Sequence, residues 1–280
     1  GTPGRLPPSP GRDQRGAAML VRALDRLGGW ALTRLATLRA MTALAGGCGV
    51  RALLPASYNP GVRRVLVRQV YYTAVQVLPL FLVTTLVVGG GVVAALVSAL
   101  QGYGLSAQVG PLVVDGLLLE LAPLATALML ALRSGAAINA EIATIREAGE
   151  LETLELFDID ALTYLFLPRI LGAMLSVTLL TGLFGVILVL GGYLFLYLGT
   201  GTGFAVYMDG VTRALDGEAG LVLTIKALAF GFLVAFVPLY SGLHAPPGLT
   251  GVPIGVLKGM VRLFTGLLTV EMVLFGLAWL

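Results

Sequence analysis

The chain has 280 residues, of which 57% are apolar and only 12% charged, with a mean hydropathy of +0.93. Soluble globular domains carry about 25% charged residues, so this composition excludes a soluble domain and places the chain in a membrane. The formal charge of +3 is small, but eleven of the eighteen Lys and Arg precede Thr73. That bias fits the cytoplasmic side of a bilayer and lacks the folded basic surface of a nucleic-acid binder.

Residues 1–18 are rich in Pro, Gly and Arg and are expected to form a disordered tail, with Met19 a candidate natural start. No cleavable signal peptide is expected, because the first long apolar run comes after Tyr72 without a processing site. Residues 19–72 read as interfacial and elbow helices. Leu20, Leu24, Leu27, Ala31, Leu35 and Leu38 recur at three- and four-residue steps, with Arg22 and Arg26 off that stripe. Such a helix lies in the interface or packs on the protein's own membrane domain. Pro55 and Pro60 end it, and Arg63, Arg64 and Arg68 open a second basic helix.

Residues 73–280 read as an all-α membrane domain of five transmembrane helices. The apolar runs fall at about 75–100, 112–132, 164–198, 221–239 and 254–280, each long enough for the roughly 20 residues a span needs. Pro79 marks a kink in the first, and Pro168 and Arg169 are expected at the interface before the third. Residues 199–220 read as a polar loop carrying Asp209, Arg213, Asp216 and Glu218. Rows of small residues, Ala227, Gly231, Ala235 and Gly251, Gly255, Gly259, suit close helix packing, either internal or across a dimer.

Between the second and third runs lies Asn139 to Asp160, with Glu141, Glu147, Glu150, Glu152, Glu155, Asp158 and Asp160 against the single base Arg146. A charged stretch of this density must sit in water. Five spans with a basic N-terminus inside place it in the cytoplasm, where it is either a solvated loop or a partner's docking element. Gly149 permits a bend within it, since mid-helix glycine costs about 1 kcal/mol against alanine.

Little catalytic chemistry is present. Neither lysine ends a G-x-x-x-x-G-K loop, since Lys226 follows Ile225 and Lys258 follows Leu257. The single Cys48 and single His244 build neither a disulfide nor a metal site. No catalytic residue, metal or cofactor is expected. Four ionisable residues fall within spans or near their ends: Asp115, read as a solvated carboxylate at the interface, Glu120, Lys226 and Glu271. A charge in hydrocarbon costs at least about 2.5–3.5 kcal/mol on insertion scales, so each needs a cavity, a partner or the interface. A polar site for a lipid headgroup, with Leu119 and Leu121 beside Glu120, competes with a plain buried pair or a snorkelling side chain. For Glu271 the structural role is favoured.

Leu118-Leu119-Glu120-Leu121-Ala122-Pro123, Arg133-Ser134-Gly135-Ala136-Ala137 with Ala140-Glu141, and Leu151-Glu152-Thr153-Leu154-Glu155 with Leu167-Pro168-Arg169 resemble motifs of the MlaE/YrbE family. Thr224-Ile225-Lys226 and Tyr240-Ser241-Gly242-Leu243 resemble later family positions. The likeness covers roughly residues 60–280. Leu119 replaces a usual base, Gly149-Glu150 stands where Glu-Gln is usual, and Ala161 replaces a proline, which marks a divergent member.

The resemblance implies the permease subunit of an ABC transporter in the bacterial inner membrane, moving phospholipid or another hydrophobic lipid between that membrane and a periplasmic MCE protein. It implies a homodimer, cytoplasmic ABC ATPase subunits and, as a further candidate, a small STAS-type regulatory subunit. Glu141, Arg146, Glu147, Glu150, Glu152, Glu155 and Asp158 would then belong to an ATPase-coupling segment. Two other classes stay open: a stand-alone proton-coupled transporter using Glu120 and Glu271, and a non-transporting membrane anchor.

Overall fold

The computed structural model describes residues 37, 39–55, 58–248 and 250–277. The expected tail and most of the first amphipathic helix lie outside these residues. The chain divides into one unit up to Gly49, helical over 39–49, and a second from Val50 onward that holds all that follows.

In the second unit every regular element among the described residues is helical. Five helices are long and apolar enough to cross a membrane: α1 (Pro60–Gly102), α2 (Ser106–Glu147), α4 (Leu162–Thr200), α6 (Gly217–Leu243) and α7 (Gly251–Leu277). Two shorter helices complete the order, α3 (Glu150–Leu156) between α2 and α4, and α5 (Phe204–Ala214) between α4 and α6. Successive long helices run in opposite directions. The α2–α3–α4 junction, the start of α1 and the α6–α7 turn therefore share one end of the bundle, and α5 lies at the other.

The long helices exceed the apolar runs that foretell them, because their ends continue into water without a breaker. Prolines are absorbed rather than obeyed. A proline lacks the N–H that would bond the carbonyl four residues back, and the backbone accommodates this by a locally wider turn. Such π-type turns run through Tyr71–Val75 before Pro79, Val113–Leu121 before Pro123 and Leu162–Phe166 before Pro168. Pro79 thus leaves α1 continuous.

The core is centred on α4 and α6. A Cβ on Gly231 would lie 2.5 Å from the Cα of Met174, so only glycine lets these two backbones meet there. Ala227 and Ala235 continue the same buried stripe. Phe81 of α1 reaches Phe184 of α4 edge to face, with ring centroids 6.0 Å apart. Helix α7 buries one stripe, Gly251, Gly255, Gly259, Leu263 and Leu267, and leaves Leu257, Val261, Leu268, Met272 and Val273 among its exposed apolar side chains.

Two regions depart from the expectation. The polar loop after α4 contains α5, an amphipathic helix that buries Tyr207 and Val211. Tyr207 donates its hydroxyl to Val189 O at 2.9 Å and packs with Tyr193, whose ring also meets Phe204 at 5.0 Å. Burial pushes the Tyr207 hydroxyl up to about 12. At the start of α4, Pro168 and Arg169 are buried inside the bundle rather than placed at the interface. Arg169 donates to Leu165 O at 2.7 Å and to Glu141 Oε1 at 2.5 Å, which makes its burial tolerable.

Candidate functional site

The ionisable residues within the spans converge. Glu120 comes from the wide turn of α2, Lys226 from the third turn of α6 and Glu271 from near the end of α7. Pro123 has no N–H to offer the carbonyl of Leu119, and that carbonyl instead accepts from Lys226 Nζ at 3.2 Å. The same ammonium donates to a carboxylate oxygen of Glu120 and to Glu271 Oε1, the latter at 3.2 Å. The Lys226 side chain is only 3% exposed, and Glu120 is the most accessible of the three.

An ammonium has three donors, and here three acceptors meet it. The cluster therefore has no cationic donor left for a phosphate. It carries two carboxylates on one cation, and Glu271 Oε2 is buried with no hydrogen-bond partner among the described residues. A further ligand at this point would be a hydrogen-bond donor or a cation. Leu119 and Leu121 flank Glu120 and are half-buried. Leu118 and Leu223, each within a turn of a cluster residue, line an apolar groove of about 350 Å³ with Gly185, Val189, Met208 and Val211. Among the described residues no group of His, Cys, Asp or Glu is placed to hold a metal ion.

The acidic segment divides at Gly149, whose φ of +72° is a left-handed conformation that suits glycine. Before it, residues 139–147 are the last turns of α2 and are tied to the protein on two sides. Asn139 is fully buried and donates to Gly255 O at 3.3 Å. Glu141 accepts from Arg169. Arg146 donates to Ala245 O at 2.8 Å, and Glu147 accepts from the Gly248 N–H at 2.9 Å.

After the break, Glu150 and Glu152 open α3, where acidic side chains favour a helix N-terminus. Glu150, Glu152 and Glu155 are exposed and make no ion pair among the described residues. Beside them Leu156 is 86% exposed and Phe157 74%. Asp158 adopts φ 57°, which ends α3, and the Ile159 N–H bonds back to Leu154 O at 2.9 Å.

Asp160 then caps α4. It accepts from Leu162 N at 3.1 Å, Thr163 Oγ1 at 2.7 Å and Arg51 Nε at 2.5 Å. Burial works to raise its pKa, but these donors outweigh it and hold the carboxyl below its ordinary 3.8. Leu156, Phe157 and Asp160 were not among the residues marked by sequence as a site. The signal for Asp160 was present, since an aspartate directly before an apolar run is a helix-start signature.

A polytopic helical membrane protein emerges, with a charged cluster among its spans and, at one end, an exposed acidic helix whose glutamates form no ion pair among the described residues. Residues 66–277 match the family model described as Permease MlaE, and the chain belongs to that family. It is 32% identical over 193 residues to a probable ABC transporter permease of Rickettsia conorii, covering 67% of this chain and 72% of that protein. It is 30% identical over 207 residues to the intermembrane phospholipid transport system permease MlaE of Haemophilus influenzae, covering 69% and 76%. The chloroplastic TRIGALACTOSYLDIACYLGLYCEROL 1 protein of Arabidopsis thaliana is 25% identical over 207 residues, covering 74% and 59%.

Proposed function

We propose that this chain is the membrane-spanning subunit of an ATP-binding-cassette transporter that moves phospholipid or another hydrophobic lipid between the inner membrane and a periplasmic MCE protein. The observation that carries the reading is α3. It is an exposed acidic helix ending in exposed Leu156 and Phe157, in a chain without a phosphate-binding loop of its own. A solvated loop has no reason to present those two apolar side chains, whereas a docking helix buries them in its partner. The contact to a cytoplasmic ATPase is made by Glu150, Glu152, Glu155, Leu156 and Phe157. Glu141, Arg146 and Glu147 act behind it, tying α2 to α4 and to the α6–α7 turn.

In this reading α3 lies on the cytoplasmic side with the N-terminus. Arg63, Arg64, Arg68, Arg146, Lys258 and Arg262 share that end, against Arg213 at the other. Residues 73–280 form the permease proper, residues 19–72 its interfacial elements, and the exposed face of α7 meets lipid or the second copy of a homodimer. The lipid path runs along the apolar groove beside Leu118 and Leu223, with Glu120 and Lys226 at its polar point.

Charge reversal of Glu152 and Glu155 together should release the ATPase on co-purification or uncouple its hydrolysis from transport. Unchanged association and transport would refute the docking role. A photo-crosslinker at Leu119 or Leu121 should capture phospholipid; capture only at distant positions would remove the cluster from the path.

One observation favours a second reading. Glu120 and Glu271 share a single lysine, an arrangement that can exchange a proton. A stand-alone transporter built on it predicts uptake in liposomes driven by a pH gradient with this chain alone.

A further inference from the structure

The outer face of α1, at the same end as α3, carries three arginines that form no ion pair among the described residues. The inner face is fixed: Val62 is buried, and a Cβ on Gly172 of α4 would lie 2.7 Å from Gln69 Cγ. At about 100° per residue, the side opposite Val62 and Gln69 is formed by Arg63, Arg64, Val67, Arg68 and Tyr71. With Tyr72 these residues line a shallow open depression of about 550 Å³. Val67 is 70% exposed, and both tyrosine rings are half exposed.

None of the three guanidiniums makes an ion pair among the described residues. Arg64 and Arg68 are a like-charge pair one turn apart, which is unfavourable unless an anion lies between them. The depth of this face follows from length. A helix of 43 residues is about 65 Å long against a hydrocarbon thickness of about 30 Å, so its first turns stand outside the hydrocarbon. The continuous apolar surface begins only after Tyr72. Arginines followed by two tyrosines at that boundary match a headgroup layer on one side and acyl chains on the other.

We propose that this face of α1 is a binding site for an anionic membrane phospholipid, distinct from the lipid path described above and independent of it. Arg64 and Arg68 take the phosphate oxygens, for which the guanidinium fork is suited, and Arg63 meets the second negative group. Val67 and the rings of Tyr71 and Tyr72 cover the glycerol and first acyl carbons. A zwitterionic headgroup fits poorly, since its ammonium would be set among three cations.

The test uses the full chain purified in detergent, loaded with phosphatidylglycerol or phosphatidylcholine and examined by native mass spectrometry. Wild type should retain phosphatidylglycerol in preference to phosphatidylcholine. The R63Q/R64Q/R68Q variant should lose that preference by on the order of a hundredfold, and R64Q alone by about fivefold. V67E leaves all three arginines and the α1–α4 packing in place but supplies an internal anion, and it should lose the preference as well. It decides the matter if the triple variant does not fold.

R213Q removes one charge at the opposite end and should behave as wild type. Equal retention of the two lipids by wild type overturns the proposal, as does undiminished phosphatidylglycerol binding by V67E. If the variants keep the lipid and lose a co-purifying protein, the face is a protein contact and the proposal falls.

Discussion

Two groups of carboxylates in this protein live in opposite surroundings. Glu120 and Glu271 lie among the spans and converge on one buried ammonium. The acids of α3 are exposed and pair with no cation among the described residues. The first group is there because the fold supplies a partner; no described residue pairs with the second. Between them lie the last turns of α2, equally rich in charge yet tied down residue by residue. Local composition is thus a poor guide to which acids are available to a partner. The chain's own geometry decides it, through Arg169, Ala245 O and the Gly248 N–H.

The largest effect should come from removing the shared cation. Lys226→Met leaves two carboxylates facing each other inside the bundle. Breaking a buried pair costs about 3–5 kcal/mol, with the lower end apt here because Glu120 is partly accessible. Thermal unfolding in detergent should show a marked drop, and adding Glu120→Gln and Glu271→Gln should restore much of it. A Lys226→Met protein as stable as wild type would mean that the three groups are not an ion network.

Glu141→Gln comes next. It removes the one ion pair Arg169 makes among the described residues, but that guanidinium keeps Leu165 O and Glu141 is half exposed, so about 1 kcal/mol is expected. The same change at Glu152, on the other side of Gly149, should leave stability within about 0.5 kcal/mol of wild type. This pair of measurements tests the division of the segment directly. Equal losses at both positions would erase it.

The five spans were legible because hydropathy over twenty residues is a property of the chain itself. So was the presence of charges within them that needed partners. Which charges meet was not legible. Lys226 and Glu271 are 45 residues apart, and their contact depends on how α7 packs back on α6, with Gly259 against Ser241 and Gly255 against Ala245 of the turn between them.

Helix α5 was hidden by its polar residues, although Phe204, Tyr207, Val211 and Leu215 already carry a helical spacing. Arg169 was misplaced for the same reason in reverse. A base at the start of an apolar run reads as interfacial until Glu141, 28 residues earlier, is seen to reach it. Asp158 and Asp160 counted as two more acids of the segment, when their work is to end α3 and begin α4.

The smallest effect concerns Asp160, and it has a pH signature. The residue joins Arg51, Thr163 and the start of α4, so it fixes where the free helix ends and the bundle resumes. Its carboxyl is held below 3.8, so the folded state binds its proton less readily than the unfolded one. Its contribution to stability is therefore present above pH 3.8 and is lost as pH falls through the lower folded value. Asparagine caps a helix about as well as aspartate, so Asp160→Asn removes the charge and spares the cap. At neutral pH the variant should be less stable by only a few tenths of a kcal/mol, since the pair is largely solvated. Thermal midpoints of wild type and variant should differ at pH 7 and converge towards pH 3. A difference that stays constant over that range would show that the Arg51 pair does not hold the junction, leaving Thr163 and Leu162 to set it alone.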